Sequence, residues 1–203
     1  MLKTIFQQLI VKYFTDIPLA ESLWQEIENK YSVDRYYHNL HHLENMYFEL
    51  EQVKKIIVDW DTVVFALFYH DIIYNPASTD NEEKSAEVAT ATLSAITFPK
   101  DQIEKCEAII LATKSHIEFA DSDFNYFTDA DLSILGQSWE VYLLYAHNIR
   151  KEYSAYPDLI YKSGRKKILS DFLKKDRIYK TNFFSLKFEK SARENLKQEM
   201  SLV

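Results

Sequence analysis

Glycine is almost missing from this chain: Gly136 and Gly164 are the only two in 203 residues, where soluble proteins carry roughly 7%. Turn-rich β architectures, which use glycine in their tight hairpins, are therefore disfavoured. A P-loop or dinucleotide fingerprint is excluded, because each needs two or three glycines close together to bring the backbone up to a phosphate. Any phosphate has to be held by a metal or by side chains. Cysteine is equally scarce. The lone Cys106 rules out an internal disulfide and a cysteine-rich zinc site, and it fits a reducing, cytoplasmic setting. Long apolar runs are lacking as well, since no stretch approaches the roughly 18 residues needed to span a bilayer. The N-terminal "MLKTIFQQLIVKYF" places apolar residues at 2, 5, 6, 9, 10 and 13 between Lys3, Gln7, Gln8 and Lys12. That is an amphipathic helix, without the continuous apolar core of a signal peptide. No association with a membrane is expected.

What is present points to one domain. A hydrophobic content of 47% over 203 residues fills one core, and the length argues against two independently folding parts, so residues 1–203 are read as a single domain. The net charge of −7 is uneven: residues 150–203 carry 14 basic and 7 acidic side chains, whereas the preceding stretch carries 10 basic and 24 acidic. Solvated helix faces account for such segregation, and so does a basic lobe facing an anionic ligand. An acidic whole without a recognisable module does not favour nucleic-acid binding.

Apolar periodicity is helical nearly throughout. It predicts helices over residues 2–14, 19–30, 38–56, 60–74, 82–96, 100–115, 130–153, 158–174 and 188–200, with an irregular segment near 116–129. The intervening "DIP", "YNPASTDN", "FPKD" and "YPD" supply breaks, because proline disfavours helical geometry in the residue before it. The expected architecture is an all-α bundle. Its many tyrosines and phenylalanines belong mostly to the core.

Chemistry concentrates in three places. His70-Asp71 sits in "TVVFALFYHDIIYNP", where nearly every neighbour is apolar. A buried carboxylate without partners costs several kcal/mol, and a divalent cation satisfies imidazole and carboxylate together; a hydrogen-bonded pair near the break at Pro76 is the plainer alternative. In "RYYHNLHHLENMY", His38 and His42 are four apart, so a helix places them on one face where both can approach one centre. His41 is turned about 100° from His42 and points elsewhere. Later, "FTDADLSILG" offers Asp129, read as an N-cap of the following helix, and Asp131, which is left for a ligand role.

This order, a histidine, then His-Asp, then a distant aspartate, resembles the HD superfamily of metal-dependent phosphohydrolases. "YHNLHH" is similar to the Y-H-N-x-x-H element of cyclic-nucleotide phosphodiesterases, and "ADLS" to the segment that supplies their last aspartate. The nearest resemblance is to a bacterial family of metal-dependent HD phosphohydrolases of about this length. It is carried by "YHNLHHLENM", "FYHDIIYNP", "DNEEKSA", "ILATKSH", "DADLSILG", "IRKEY", "GRKKILSDFL" and "EKSARENL", from about Arg35 to Leu196. The resemblance implies an HD-type helical fold, His42, His70, Asp71 and Asp131 as metal ligands, and His38 as general acid or phosphate contact.

Glu82 is the candidate to orient or deprotonate the attacking water, although Thr79 with Glu82, and Asp80 with Glu83, also have capping-box spacing. Lys114 and His116 are candidate substrate contacts or, for His116, a ligand of a second metal; their place near a helix C-terminus explains them equally well. Arg165 and Arg193 match family positions and read as phosphate clamps or ion-pair partners. His147 reads as a structural helical histidine. The implied reaction is hydrolysis of a phosphate ester or anhydride, with a nucleotide as the small-molecule substrate. The implied cofactor is a divalent ion: two histidines and two carboxylates suit Mn²⁺, Fe²⁺, Co²⁺, Ni²⁺ or Zn²⁺ better than Mg²⁺. The rival expectation is a non-catalytic, ligand-binding or regulatory module that keeps the scaffold and a structural metal.

Overall fold

The computed structural model describes residues 1–203 and is helical throughout, with no strand. Ten α-helices follow one another: α1 Leu2–Tyr13, α2 Ile17–Ser32, α3 Leu40–Val53, α4 Trp60–Tyr69, α5 Asn81–Ala95, α6 Lys100–Ala112, α7 Ser122–Asp131, α8 Trp139–Glu152, α9 Asp158–Lys174 and α10 Asn182–Met200. A 3₁₀ turn, Leu132–Gly136, stands between α7 and α8. No helix is long and apolar enough to cross a membrane. The chain divides into two compact units, Met1–Thr128 and Asp129–Val203, and the dividing line falls inside α7, whose last turn belongs to the second unit.

In the first unit α4 is the central element. Every residue from Thr62 to Tyr69 is buried, because this helix is apolar on all sides and must be enclosed on all sides. α1, α3, α5 and α6 pack on it. Phe6 meets Phe68 edge-on with centroids 5.0 Å apart, and Tyr13, Phe65 and Phe98 form a second aromatic group in which Tyr13 and Phe98 are 4.6 Å apart. Such edge-to-face contacts add about 0.5–1.5 kcal/mol each beyond the area they bury. Asp123, fully buried on the first turn of α7, accepts the Val58 and Asp59 N–H groups at 2.9 Å and pairs with Lys105 at 2.8 Å.

In the second unit α10 packs against the 3₁₀ turn, α8 and α9. Gly136 lies so close to α10 that a Cβ there would stand 2.4 Å from Phe188 Cβ and 2.8 Å from its carbonyl oxygen. Only glycine fits, since the obstruction includes backbone that cannot turn aside.

Three expectations are corrected here. The segment expected to be irregular near 116–129 contains α7, whose start is held by Asp121 accepting the Asp123 N–H at 2.9 Å. The single helix expected over 130–153 is interrupted, because the backbone at Gly136 is pressed against α10 and Gln137 turns extended. α10 begins at Asn182 rather than at residue 188, and the Thr181 side chain caps it by accepting the Phe184 N–H.

Candidate metal centre

α3 does not begin where the spacing of its histidines predicts. Asn39 is its N-cap, its side-chain oxygen accepting the His41 and His42 N–H groups at 2.9 and 3.4 Å, as a short polar side chain does in extended geometry. His38 therefore precedes the helix, and the expectation that His38 and His42 share a helical face is wrong. The two rings nonetheless stay adjacent, with centroids 6.1 Å apart. His41 points to solvent and sits 3.7 Å from Glu44.

α4 ends at Tyr69, which places His70 at its C-cap and Asp71 just beyond. His70 Nδ1 lies 3.0 Å from the Leu67 carbonyl oxygen. A carbonyl only accepts, so Nδ1 carries the hydrogen and neutral His70 presents a lone pair at Nε2. That Nε2 is 3.3 Å from His42 Nε2 and 3.1 Å from Asp71 Oδ2, and His42 Nε2 is 3.9 Å from the same oxygen. His42 and His70 are buried, and the Asp71 side chain is 18% exposed. Burial pushes the Asp71 carboxyl up, but the imidazoles of His70, His38 and His42 outweigh it and hold the group well below the ordinary carboxylate range.

Asp131 is the last residue of α7. One ligand atom from each of His42, His70 and Asp131 lies within 4.8 Å of the others. Donors bound to one cation at about 2.1 Å stand roughly 3–4 Å apart, so the separations around His42, His70 and Asp71 fit a shared ion. Three lone pairs facing one another at this range repel unless a proton or a cation lies among them. Imidazole nitrogen with carboxylate oxygen is a donor set for a borderline transition ion.

Asp129 has a different task from the one its sequence position predicts. It is fully buried and caps nothing in its own helix. Its Oδ1 accepts the Lys180 N–H at 2.9 Å, and its Oδ2 accepts the Thr181 N–H at 2.7 Å and the Thr181 hydroxyl at 2.8 Å, with Lys180 Nζ 3.3 Å from Oδ1. Both oxygens are committed to the segment before α10.

The remaining candidates lie in other interactions. Glu82, in the first turn of α5, stands 3.9 Å from Lys114 Nζ. Neither capping box forms: Asp80 is the N-cap of α5 without a side-chain cap bond, and its carboxylate takes Ser78 and Lys84 instead. Lys114 donates to the Thr79 carbonyl at 2.7 Å and pairs with Glu83. His116 adopts the left-handed conformation, φ 50°, after α6, and its N–H closes the helix end on the Ala112 carbonyl at 3.0 Å, the backbone role of a C-terminal turn. Arg165 is buried in the second unit and forks onto Glu199 at 2.7 and 2.9 Å. Arg193 pairs with Glu189 at 2.7 Å and donates to the carbonyls of Leu173, Lys175 and Asp176. His147 is exposed on α8.

Three residues of the centre escaped sequence reasoning. Arg35 donates to the carbonyls of His38, Asp71 and Ile72, at 2.9 Å for the last, and its guanidinium lies 4.8 Å over the Tyr31 ring. Tyr31 donates to the Phe68 carbonyl at 3.1 Å and accepts the Asp71 N–H at 3.2 Å. Tyr74 stacks on His38. Arg35 and Tyr74 lie within the "RYYHN" and "IIYNP" stretches that carry the histidines, but nothing in their spacing announces that one guanidinium bridges the two. Comparison with family models, with curated proteins and with solved structures returns no match.

Proposed function

We propose that the protein is a metal-dependent phosphohydrolase with a fold of the HD type, cleaving a phosphate ester or anhydride of a nucleotide in the cytoplasm. The observation that carries the reading is the meeting of His42 Nε2, His70 Nε2 and Asp71 Oδ2 at 3.1–3.9 Å. The order of these residues along the chain supports it, because it is the order for which the HD superfamily is named.

His42, His70 and Asp71, with Asp131 as the resemblance implies, would hold a divalent ion. Such an ion would supply Lewis acidity toward water and phosphoryl oxygens. The Leu67 carbonyl keeps His70 in the tautomer that offers Nε2. Arg35 ties the His38 loop to the end of α4 through carbonyl oxygens of both, so the ring of His38 is kept beside that of His42. In its protonated form His38 would give a proton to the leaving oxygen, the part of a general acid. Arg165 takes no part, its guanidinium being matched to Glu199.

The test is elemental analysis of the purified protein, followed by a screen of nucleotides and phosphoesters with added Mn²⁺. His70→Ala and Asp71→Ala abolish both metal retention and hydrolysis. His38→Ala retains the metal and loses turnover by about 10²–10⁴-fold, the usual worth of a general acid. Metal retention without hydrolysis of any substrate would favour the non-catalytic module, and absence of transition metal from the wild type, even after Mn²⁺ is supplied, would remove the metal centre altogether.

A further inference from the structure

We infer that Tyr179 and Thr181, in the three-residue approach to α10, are positioning residues for the metal ligand Asp131; the inference rests on the metal-centre reading above. Asp131 ends α7 and is followed directly by the 3₁₀ turn, so its carboxylate is only as well placed as the backbone on either side of it. That backbone is fastened at two points by residues 179–181. Two residues before Asp131, the buried Asp129 carboxylate accepts the Thr181 N–H at 2.7 Å and its hydroxyl at 2.8 Å, together with the Lys180 N–H at 2.9 Å. One residue after it, the Leu132 carbonyl accepts the hydroxyl of Tyr179 at 2.9 Å. Tyr179 is fully buried and Thr181 is 9% exposed, so both bonds are shielded from water.

Further along, Asn195 donates to the carbonyls of Leu135 and Gln137, each at 2.9 Å, and Gly136 rests on Phe188. The whole of Asp129–Gln137 is thereby laid along α10 and its approach, with Asp131 between the two bonds nearest to it. The bonds from Tyr179 and Thr181 are buried and directional. Losing one leaves an unsatisfied acceptor that the segment must move to relieve. Residues that hold a metal's ligands in place commonly cost 10–100-fold in affinity when removed.

The experiment titrates Co²⁺ into the full-length protein, following both affinity and the visible absorption that reports ligand geometry. Tyr179→Phe and Thr181→Val each weaken Co²⁺ binding by about tenfold and alter the absorption band, while Thr181→Ser, which keeps the hydroxyl, restores both. Leu169→Ala, a buried truncation on α9 of the same unit, lowers the melting temperature and leaves Co²⁺ affinity unchanged. That control separates loss of positioning from loss of stability, and circular dichroism confirms that each variant is folded at the titration temperature. Co²⁺ affinity equal to wild type in both Tyr179→Phe and Thr181→Val overturns the inference alone. A wild type that binds no Co²⁺ overturns it together with the metal centre.

Discussion

Tyr74 lies stacked on His38, ring centroids 4.1 Å apart and planes inclined by 29°. Tyr37 meets the same imidazole edge-on at 5.0 Å. His38 precedes the helix that carries His42, so no helical hydrogen bonds fix its direction, and these two rings pack against it. Tyr74→Ala should therefore lower turnover, by about 10-fold if the ring's share of orientation resembles other misplacements at active sites, and leave metal content unchanged. Tyr74→Phe, which keeps the stack, should behave as wild type. Single-turnover hydrolysis measured beside elemental analysis decides this. Equal turnover in Tyr74→Ala and wild type would show that the stack does not direct His38.

Arg35 links three carbonyl oxygens from two stretches of chain that are distant in sequence, those of His38, Asp71 and Ile72. A lysine ammonium cannot span that fork of acceptors in fixed geometry. Arg35→Ala and Arg35→Lys are both expected to destabilise the fold, by about 2–4 kcal/mol for the former, since hydrogen bonds to a charged group contribute about 1.5–3 kcal/mol each and do not add fully. Urea denaturation measures the difference. A midpoint within error of wild type for Arg35→Lys would mean that charge alone, not the fork, holds the segment.

Acid should separate the carboxylate of the centre from its imidazoles. The folded-state pKa of Asp71 is lowered, so the stability it contributes is fully present above its ordinary value of 3.8 and is lost only as pH falls through the lowered one. Acidification from pH 7 to about 5 leaves this contribution intact. Protons compete with a metal ion for imidazole nitrogen, so metal retention should fall as the pH is lowered over that same interval. Elemental analysis after dialysis at graded pH checks this. Retention unchanged down to about pH 4 would place the ion on carboxylates without the histidines.

The pair Arg165–Glu199 should behave as structure. The guanidinium is buried, lies 5.3 Å over the Tyr145 ring and forks onto a carboxylate that also receives the hydroxyl of Tyr142. Removing one member of a buried pair leaves the other charge uncompensated, at a cost of about 3–5 kcal/mol. Glu199→Ala is expected to lower the melting temperature strongly while leaving the metal affinity of the folded fraction as it was. A stable Glu199→Ala variant with weakened affinity for phosphate-bearing ligands would return Arg165 to the substrate-binding role that its sequence position suggests.

Legibility differed from residue to residue. His70 and Asp71 could be found because a polar dipeptide inside an apolar helix demands an explanation by itself. His42 was found by a spacing argument whose premise failed: the helix starts at Leu40, and it is the turn made by Arg35 and Asn39, not helical periodicity, that keeps His38 near His42. Asp129 was read as a local cap because caps are set by neighbours in sequence, whereas its partners, Lys180 and Thr181, are some fifty residues away. The segment near 116–129 hid a helix because its polar residues, Asp121 and Asp123 among them, are tied to Lys105 and to the Val58–Asp59 backbone, partners that no local pattern shows.

The amino-acid sequence alone determined the all-helical class, through the scarcity of glycine and the period of its apolar residues, and it singled out His38, His42, His70 and Asp71 as candidates. Only the tertiary structure decided their geometry: that His42, His70 and Asp71 meet, that His38 lies outside its helix, and that Asp129 braces while Arg165 is bound to Glu199. Periodicity is a property of neighbours along the chain. The choice between a capping aspartate, a bracing one and a ligand is made by groups that folding brings in from far away, through hydrogen bonds that exist only once the intervening helices are packed.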